Sequence, residues 1–167
     1  AVCREIRRGA GPVVALRYDS DELPVHEMAA GNNRPVVDGC GAECEGRMHE
    51  CGHDGHTAIG LAVAEKLSHP NAEWKGTLRL IFQPAEEGGR GAQPIIPSGL
   101  LDDVDIFLAA HVCFQLPSGQ LALTADGFLW AETWNVTFTG HAAPPAMSPE
   151  AGPCSPPPAA IAHTTLH

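Results

Sequence analysis

The chain has 167 residues, of which 44% are hydrophobic, and this is enough to form the core of one soluble domain. Asp and Glu outnumber Lys and Arg by 20 to 10, so the formal net charge is −10. Nucleic acids and anionic membranes attract clustered basic side chains, and we expect neither as a partner. The sequence contains no apolar run close to the roughly 18 residues of a membrane span, and no signal peptide is recognisable. We therefore expect a cytoplasmic protein with reduced cysteines.

The first predicted elements alternate between strands and helices. Val13 to Tyr18 is a strand-like run, and a long polar connection, Asp19 to Arg47, follows it. Apolar residues then recur at helical spacing from His56 to Leu67, which predicts a helix that ends before Pro70. Thr77 to Phe82 is short and mostly apolar, as a buried strand is.

The same alternation continues towards the middle of the chain. We predict a helix from Ala92 to Leu101 and a third strand from Asp105 to Ala110, which runs directly into His111. Strands that alternate with helices are typical of a layered α/β domain with a mostly parallel sheet.

The sequence pattern changes near residue 125. Gln120 to Thr124 and Thr133 to Thr139 resemble half-exposed strands of an antiparallel sheet, and the chain from Ala142 onward is rich in Pro and Ala. We therefore predict two domains, with residues 1–125 in the first and residues 126–167, including an irregular tail, in the second.

A metal-binding motif lies between the first strand and the first helix. The eight residues from His49 to His56 hold one thiol, three imidazoles and two carboxylates. Cys51 and His53 lie two positions apart, and a thiolate with an imidazole makes half of a transition-metal site. The sequence therefore predicts further ligands elsewhere in the chain.

The strand ends supply these further ligands. In open α/β sheets, ligands bind beside the carboxyl ends of strands, and here those ends carry Asp19 and Asp21, then Glu86 and Glu87, then His111. We expect four candidate metal ligands to converge from three separate segments, namely Cys51, His53, Glu87 and His111.

Two adjacent carboxylates indicate a hydrolytic site. One of them can bind a metal ion while its neighbour takes a proton from water that the ion activates. Glu86 and Glu87 fit this division of roles, although two adjacent glutamates are also common on solvent-exposed protein surfaces.

Four segments of the chain resemble motifs of the aminoacylase and carboxypeptidase-type metallo-amidohydrolases. Cysteine in the metal motif is a feature of the branch that includes hydrolases of indole-acetyl-amino acids, hippurate-type N-acyl amino acids and p-aminobenzoyl-glutamate. Two further stretches, Gly88 to Ala92 and Leu101 to Asp105, look most like the p-aminobenzoyl-glutamate hydrolase A-subunit group. The four segments, in chain order, are Arg17 to Pro24, Met48 to Ala58, Phe82 to Gly88 and Ala110 to Val112.

This resemblance implies a three-layer catalytic domain followed by the start of an α+β lid or dimerisation domain. It implies an amidohydrolase for N-acyl or N-aroyl amino acids, with two divalent metal ions, Mn or Zn, and a homodimer or hetero-oligomer in the full-length protein. Glu86 would be the general base and acid, and Asp19 would orient a ligand, unless Asp19 is only a turn or helix-capping residue. The implied ligands are Cys51, His53, Glu87 and His111.

The chain also departs from the family pattern. Family members are more than twice as long and have a further histidine ligand near their C-terminus, so we expect this chain to be a fragment. Pro144 stands where the lid domain of the family has a histidine. An inactive relative that still binds metal is therefore an alternative. A third possibility is a structural zinc module in which Cys40 and Cys44 join Cys51 and His53, but it leaves the remaining candidates unexplained.

Overall fold

The computed structural model describes residues 1–29, 31–112, 116–123, 135–140, 146–147 and 160–161. Contacts divide the chain into two units, Ala1–Gln120 and Leu121–His167. None of the helices in these described residues is long and apolar enough to cross a membrane. The first unit contains β1 (Val2–Arg8), β2 (Val13–Asp19), α1 (Arg34–Val37), α2 (His53–Ser68), β3 (Gly76–Gln83) and β4 (Ile106–Ala109).

The four strands form one mixed sheet in the order β1-β3-β2-β4. β2 is parallel to both β3 and β4, whereas β1 is antiparallel to β3. The predicted α/β fold with a mostly parallel sheet is therefore confirmed. The register pairs Asp19 with Gln83, so β2 and β3 end level with each other. The polar segments that follow these two strands consequently begin at the same edge.

Each face of the sheet packs against a separate hydrophobic cluster. Successive strand residues point to opposite faces, so Leu78 and Leu80 lie against α2 while Ile81 lies on the other side. α2 approaches closely at Gly60, where an added Cβ would lie 2.8 Å from the rings of Tyr18 and Phe82. The opposite face is covered by Ile95, Leu100, Leu101 and Val104.

The segment on that opposite face is not the predicted helix. The prediction of a helix from Ala92 to Leu101 is wrong, because this segment forms turns and one 3₁₀ turn at Ile96–Ser98. Pro94 and Pro97 lack the N–H group that a helix interior requires, and Gly99 ends the turn with a φ of 76°. The segment nevertheless contributes Ile95, Leu100 and Leu101 to this face of the sheet.

Two further differences concern the ends of the described chain. β1 was not predicted, because its exposed and half-buried residues do not form an apolar run. The predicted strands Gln120 to Thr124 and Thr133 to Thr139 are not confirmed, since their described parts, 120–123 and 135–139, form no strand. Thr124, Thr133 and Trp134 lie outside the described residues. The domain boundary near residue 125 stays a prediction.

Arg8, the last residue of β1, holds the C-terminal end of α2. Its guanidinium group donates hydrogen bonds to backbone carbonyl groups there and lies 5.9 Å from the centre of the Trp74 ring. A helix C-terminus carries unpaired carbonyl groups and partial negative charge, which a cation stabilises. The accepting carbonyl groups belong to Ser68, His69, Pro70 and Ala72.

Replacing Arg8 is expected to destabilise the fold more than replacing its neighbour. Arg8→Met keeps the aliphatic stem but removes the donors, so we expect the free energy of unfolding to fall by about 1–2 kcal/mol. Arg7→Met is the matched control, because Arg7 is exposed and pairs only at the surface with Glu5; we expect it to change stability by about 0–1 kcal/mol. Urea unfolding measures both, and equal effects would contradict the capping role.

Arg79 ties three segments together on the face opposite α2. Its side chain is buried and donates hydrogen bonds to Glu5 of β1, at 2.8 Å, and to Asp103, at 2.6 Å. Hydrogen bonds from Arg7 and Arg79 lower the pKa of Glu5, and the hydrogen bond from Arg79 lowers the pKa of Asp103. Both carboxyl groups are therefore more acidic in the folded chain than in the unfolded one.

This network makes a prediction about pH. Because the pKa values of Glu5 and Asp103 are lowered on folding, their ionised forms add stability above their ordinary pKa of about 4 and lose it as the pH falls. The stability difference between the wild type and Arg79→Met should therefore be largest near neutral pH and shrink in acid. Urea unfolding from neutral to acidic pH tests this, and a constant difference would contradict it. Arg34→Met, which breaks an exposed pair with Asp38, should have little effect throughout.

Candidate metal centre

His53 lies at the centre of the candidate site. It is the first residue of α2 and is fully buried. Its Nδ1 lies 3.0 Å from the backbone oxygen of Asp21, and since a carbonyl oxygen can only accept, Nδ1 carries the hydrogen. The lone pair is then on Nε2, which is buried and has no hydrogen-bond partner among the described residues. An imidazole held by one nitrogen with the other free is the arrangement of a metal ligand.

Three carboxylates surround this free nitrogen. Nε2 of His53 lies 3.8 Å from Asp19 Oδ2, 3.8 Å from Glu87 Oε1 and 4.0 Å from Glu86 Oε2. Such separations are those of neighbouring ligands on one ion whose bonds are about 2.0–2.3 Å long. The ligand atoms of His53, Glu86 and Glu87 lie close enough together to hold one ion.

A second group of potential ligands, which also includes His53, contains the thiol. Cys51 Sγ lies 3.4 Å from His111 Nε2, and His111 Nδ1 lies 2.6 Å from the backbone oxygen of Val112. His111 therefore also carries its hydrogen on Nδ1, and its Nε2 faces the thiol. Cys51, His53 and His111 again lie close enough to hold one ion. The structure thus brings Cys51, His53, Glu86, Glu87 and His111 together.

The electrostatics of this cluster suit a cation. Burial, together with the hydrogen bond to Glu87 and the negative charges of Glu87, Glu86 and Asp19, raises the pKa of the Cys51 thiol to about 11. Negative charges that oppose ionisation of the thiol would be offset by a divalent ion. Thiolate, imidazole and carboxylate donors are those that Zn²⁺ accepts, and Mn²⁺ prefers the carboxylates. The residues present therefore fit a divalent metal ion.

Asp19 is buried beside this cluster as the last residue of β2. It is not a helix cap, because the nearest following helix begins at Arg34. One carboxylate oxygen accepts a hydrogen bond from His56 Nδ1, and the other lies 2.7 Å from Arg17 Nη1. Burial by itself would raise the pKa of Asp19, but the hydrogen bond from His56 and the charge of Arg17 hold it below its ordinary value. Asp19 thus stays a carboxylate.

Sequence reasoning assigned no role to Asp21 and left that of His56 open. Asp21 accepts the N–H of His53 on its backbone oxygen and the backbone N–H of Glu87, at 3.0 Å, on its side chain. It therefore connects His53 to the segment that carries Glu87. The sequence could have indicated a role for Asp21, because this residue lies two positions after Asp19, at the end of β2. His56 follows His53 by three positions, and this spacing places both on one face of α2.

The residues of the structural zinc module do not come together. Cys40 and Cys44 are exposed free cysteines. In the part of the chain that the structure describes, neither belongs to a group of potential ligands, whereas Cys51 and His53 do. The lid position Pro144 lies outside the described residues.

Comparison with known proteins gives the class to which this fold and site belong. Residues 15–160 match peptidase family M20/M25/M40, and the chain belongs to this family. The p-aminobenzoyl-glutamate hydrolase A-subunit of Escherichia coli is 44% identical over 142 residues, which are 85% of this chain and 33% of that protein. The indole-3-acetyl-aspartic acid hydrolase of Enterobacter agglomerans is 42% identical over 142 residues, with the same shares. The N-acetylcysteine deacetylase of Bacillus subtilis is 41% identical over 123 residues, or 73% of this chain and 30% of that protein.

A solved structure extends the comparison to the fold. A crystal structure of a Bacillus subtilis protein, described as a dinuclear metal-binding peptidase of the M20 family, aligns with a TM-score of 0.60 and 41% identity. The alignment covers 69% of this chain and 30% of that chain. This chain therefore spans about a third of the length of the curated relatives it matches. The predicted family and its α/β catalytic fold are confirmed.

Gly52 separates Cys51 from His53, and its backbone conformation gives a testable prediction. It precedes α2 with a φ of 84°, and an added Cβ would lie 2.5 Å from Val112 Cγ2. Gly52→Ala adds this clash to the roughly 1–2 kcal/mol that a left-handed conformation costs a residue with a side chain. Gly39→Ala is the matched control, because Gly39 has a φ of 75° and open space around it.

We expect Gly52→Ala to lower the free energy of unfolding by at least about 1 kcal/mol more than Gly39→Ala does. Adding Val112→Ala should remove part of the excess, because it removes the clashing methyl group but leaves the backbone conformation unchanged. Urea unfolding of the wild type, Gly52→Ala, Val112→Ala and the double variant gives the coupling energy, and Gly39→Ala is measured beside them. Equal losses for the two glycine variants would show that the approach of Val112 to Gly52 is not a constraint.

Proposed function

We propose that this chain carries the metal-binding part of an amidohydrolase that cleaves the amide bond of an N-acyl or N-aroyl amino acid. Three similar proteins are named for p-aminobenzoyl-glutamate, indole-3-acetyl-aspartic acid and N-acetylcysteine. In each of these compounds an acyl or aroyl group is joined by an amide to an amino acid. A substrate of this kind, p-aminobenzoyl-glutamate-like or hippurate-like, is therefore the proposed one.

The free Nε2 of His53 is the observation that carries this proposal. It has no hydrogen-bond partner among the described residues, and His53 belongs to two groups of potential ligands, one with Cys51 and His111 and one with Glu86 and Glu87. The single lone pair on Nε2 can bind only one ion. We assign Cys51, His53, Glu87 and His111 as ligands of two divalent ions, Zn or Mn, and a dinuclear relative supports this number. When bound, such ions activate a water molecule and polarise the scissile carbonyl group.

Glu86 is the proposed general base and acid. Its carboxylate lies 4.0 Å from His53 Nε2 but is more exposed to solvent than that of Glu87. It can therefore reach both the ligand cluster and a substrate that enters from solvent. In the proposed mechanism Glu86 takes a proton from the attacking water and returns it to the nitrogen of the leaving amino acid. Asp21 keeps Glu87 beside His53 while this transfer occurs.

The remaining proposals concern the longer protein. We propose that residues 126–167 begin a lid or dimerisation domain, and that the full-length protein is a cytoplasmic homodimer or hetero-oligomer. The chain covers about a third of its relatives, and the rest of the substrate pocket would come from sequence beyond the matched region.

The mechanism predicts different results for the two neighbouring glutamates. Glu86→Gln should lower kcat for p-aminobenzoyl-glutamate or hippurate by about 10²–10⁴-fold and leave the metal content unchanged, because only a proton acceptor is lost. Glu87→Gln should lower the metal content, because a ligand is lost. Metal analysis and steady-state hydrolysis of the Zn²⁺- and Mn²⁺-loaded chain measure both effects.

Glu65→Gln on α2 is the control, since Glu65 lies away from the ligand cluster and should affect neither measurement. If the wild type is active, turnover of the same size by Glu86→Gln would contradict the assignment of the base. Two bound ions without turnover of any of these substrates would favour the alternative of an inactive relative that retains metal binding.

A further inference from the structure

His56 makes two hydrogen bonds inside the protein, one at each ring nitrogen. Its side chain is almost completely buried. Nδ1 is hydrogen-bonded to Asp19, and Nε2 lies 2.8 Å from the backbone nitrogen of Val112. The ring also packs edge-on against His111, with ring centres 4.5 Å apart and planes at 75°.

These two contacts define the protonation of the ring. A backbone N–H can only donate, so Nε2 of His56 must accept the bond from Val112 and cannot carry a hydrogen. The hydrogen is therefore on Nδ1, where the carboxylate of Asp19 accepts it. Asp19 is in turn held by Arg17 through its second oxygen. His56 is consequently neutral, with a single defined tautomer.

This tautomer distinguishes His56 from the candidate ligands. Asp19, His53 and His56 lie close enough together to hold an ion. Both ring nitrogens of His56 are already hydrogen-bonded, however, whereas Nε2 of His53 is free. A metal ion bound by His56 would have to displace the Val112 N–H and leave that group without its acceptor. His56 is therefore not the ligand of this group.

The hydrogen bond to Val112 acts on the neighbouring ligand. The nitrogen that donates to His56 belongs to the peptide bond between His111 and Val112, so this bond fixes the main chain of His111. β4 ends at Ala109, and the segment that follows it is thereby attached to α2. His111, whose Nε2 lies 3.4 Å from Cys51 Sγ, belongs to this attached segment.

We propose that His56 is a positioning residue, which links Asp19 to the main chain at Val112 and thereby fixes the candidate ligand His111. The inference rests on the proposed function, because the position of His111 matters as that of a metal ligand. Asp19 then influences the position of His111 through His56, and it also lies beside His53.

Two variants separate the two hydrogen bonds of His56. His56→Asn keeps an N–H donor near the position of Nδ1, for Asp19, but has no acceptor for Val112. His56→Gln keeps an acceptor near the position of Nε2. His69→Asn is the matched control, because His69 is an exposed histidine at the other end of α2. Thermal unfolding of each variant establishes that it is folded before the other measurements are made.

The first two measurements use the wild-type chain and its variants without metal. Long-range ¹H–¹⁵N NMR of the imidazole rings should show His56 as the neutral tautomer with hydrogen on Nδ1. Hydrogen exchange of the Val112 amide should be slow in the wild type and in His56→Gln and faster in His56→Asn. An Nε2–H or doubly protonated ring in the wild type, or an unchanged exchange rate in His56→Asn, would overturn the inference.

The third measurement is the affinity for Zn²⁺ by titration calorimetry. It should fall by about 10–100-fold in His56→Asn, less in His56→Gln, and not at all in His69→Asn. An unchanged affinity in His56→Asn would overturn the inference and leave the proposed function intact. Failure of the wild type to bind Zn²⁺ or Mn²⁺ would instead refute the proposed function, and the NMR and exchange data would still decide the role of His56.

Discussion

The structure of the site depends on one buried imidazole whose two nitrogens have different surroundings. His53 donates from Nδ1 to the main chain of Asp21 and leaves Nε2 without a partner among the described residues. A buried nitrogen without a hydrogen bond is unfavourable unless something else occupies its lone pair. His53 forms one group of potential ligands with Cys51 and His111 and another with the two glutamates. The proposed metal chemistry follows from this arrangement, because each of the other candidate ligands belongs to a group that includes His53.

The sheet makes that arrangement possible because β2 and β3 are parallel and end at the same level. Asp21 then lies beside the segment that carries the glutamates and accepts the backbone N–H of Glu87. β4 is parallel to β2 on its other side and delivers His111 to the same edge. In open α/β sheets, ligands bind at the carboxyl ends of strands. Here hydrogen bonds of the main chain, as well as side chains, hold the candidate ligands at that edge.

Much of this could be predicted because it depends on local patterns. Apolar runs located β2, β3 and β4, and helical spacing located α2, although its start at His53 was missed by three residues. The candidate ligands followed from their positions after strands. β1 and the conformation of residues 92–101 could not be predicted, since the first depends on a partner about 75 residues away and the second on prolines within an apolar pattern. The partners of Asp21 and His56 could not be predicted either, because backbone groups accept or donate in both contacts and the side-chain pattern does not indicate them.

The position of β3 inside the sheet has a consequence for the order in which the chain can fold. β1 and β2 are neighbours in sequence, but each pairs with β3, which lies between them. During synthesis both strands must wait unpaired until residues up to Gln83 have emerged from the ribosome. Pairing over such sequence separations is slow compared with hairpin formation. Cys51 and His53 are therefore synthesised well before the sheet edge beside them can form, and the candidate ligands can come together only after β3 has paired with β1 and β2.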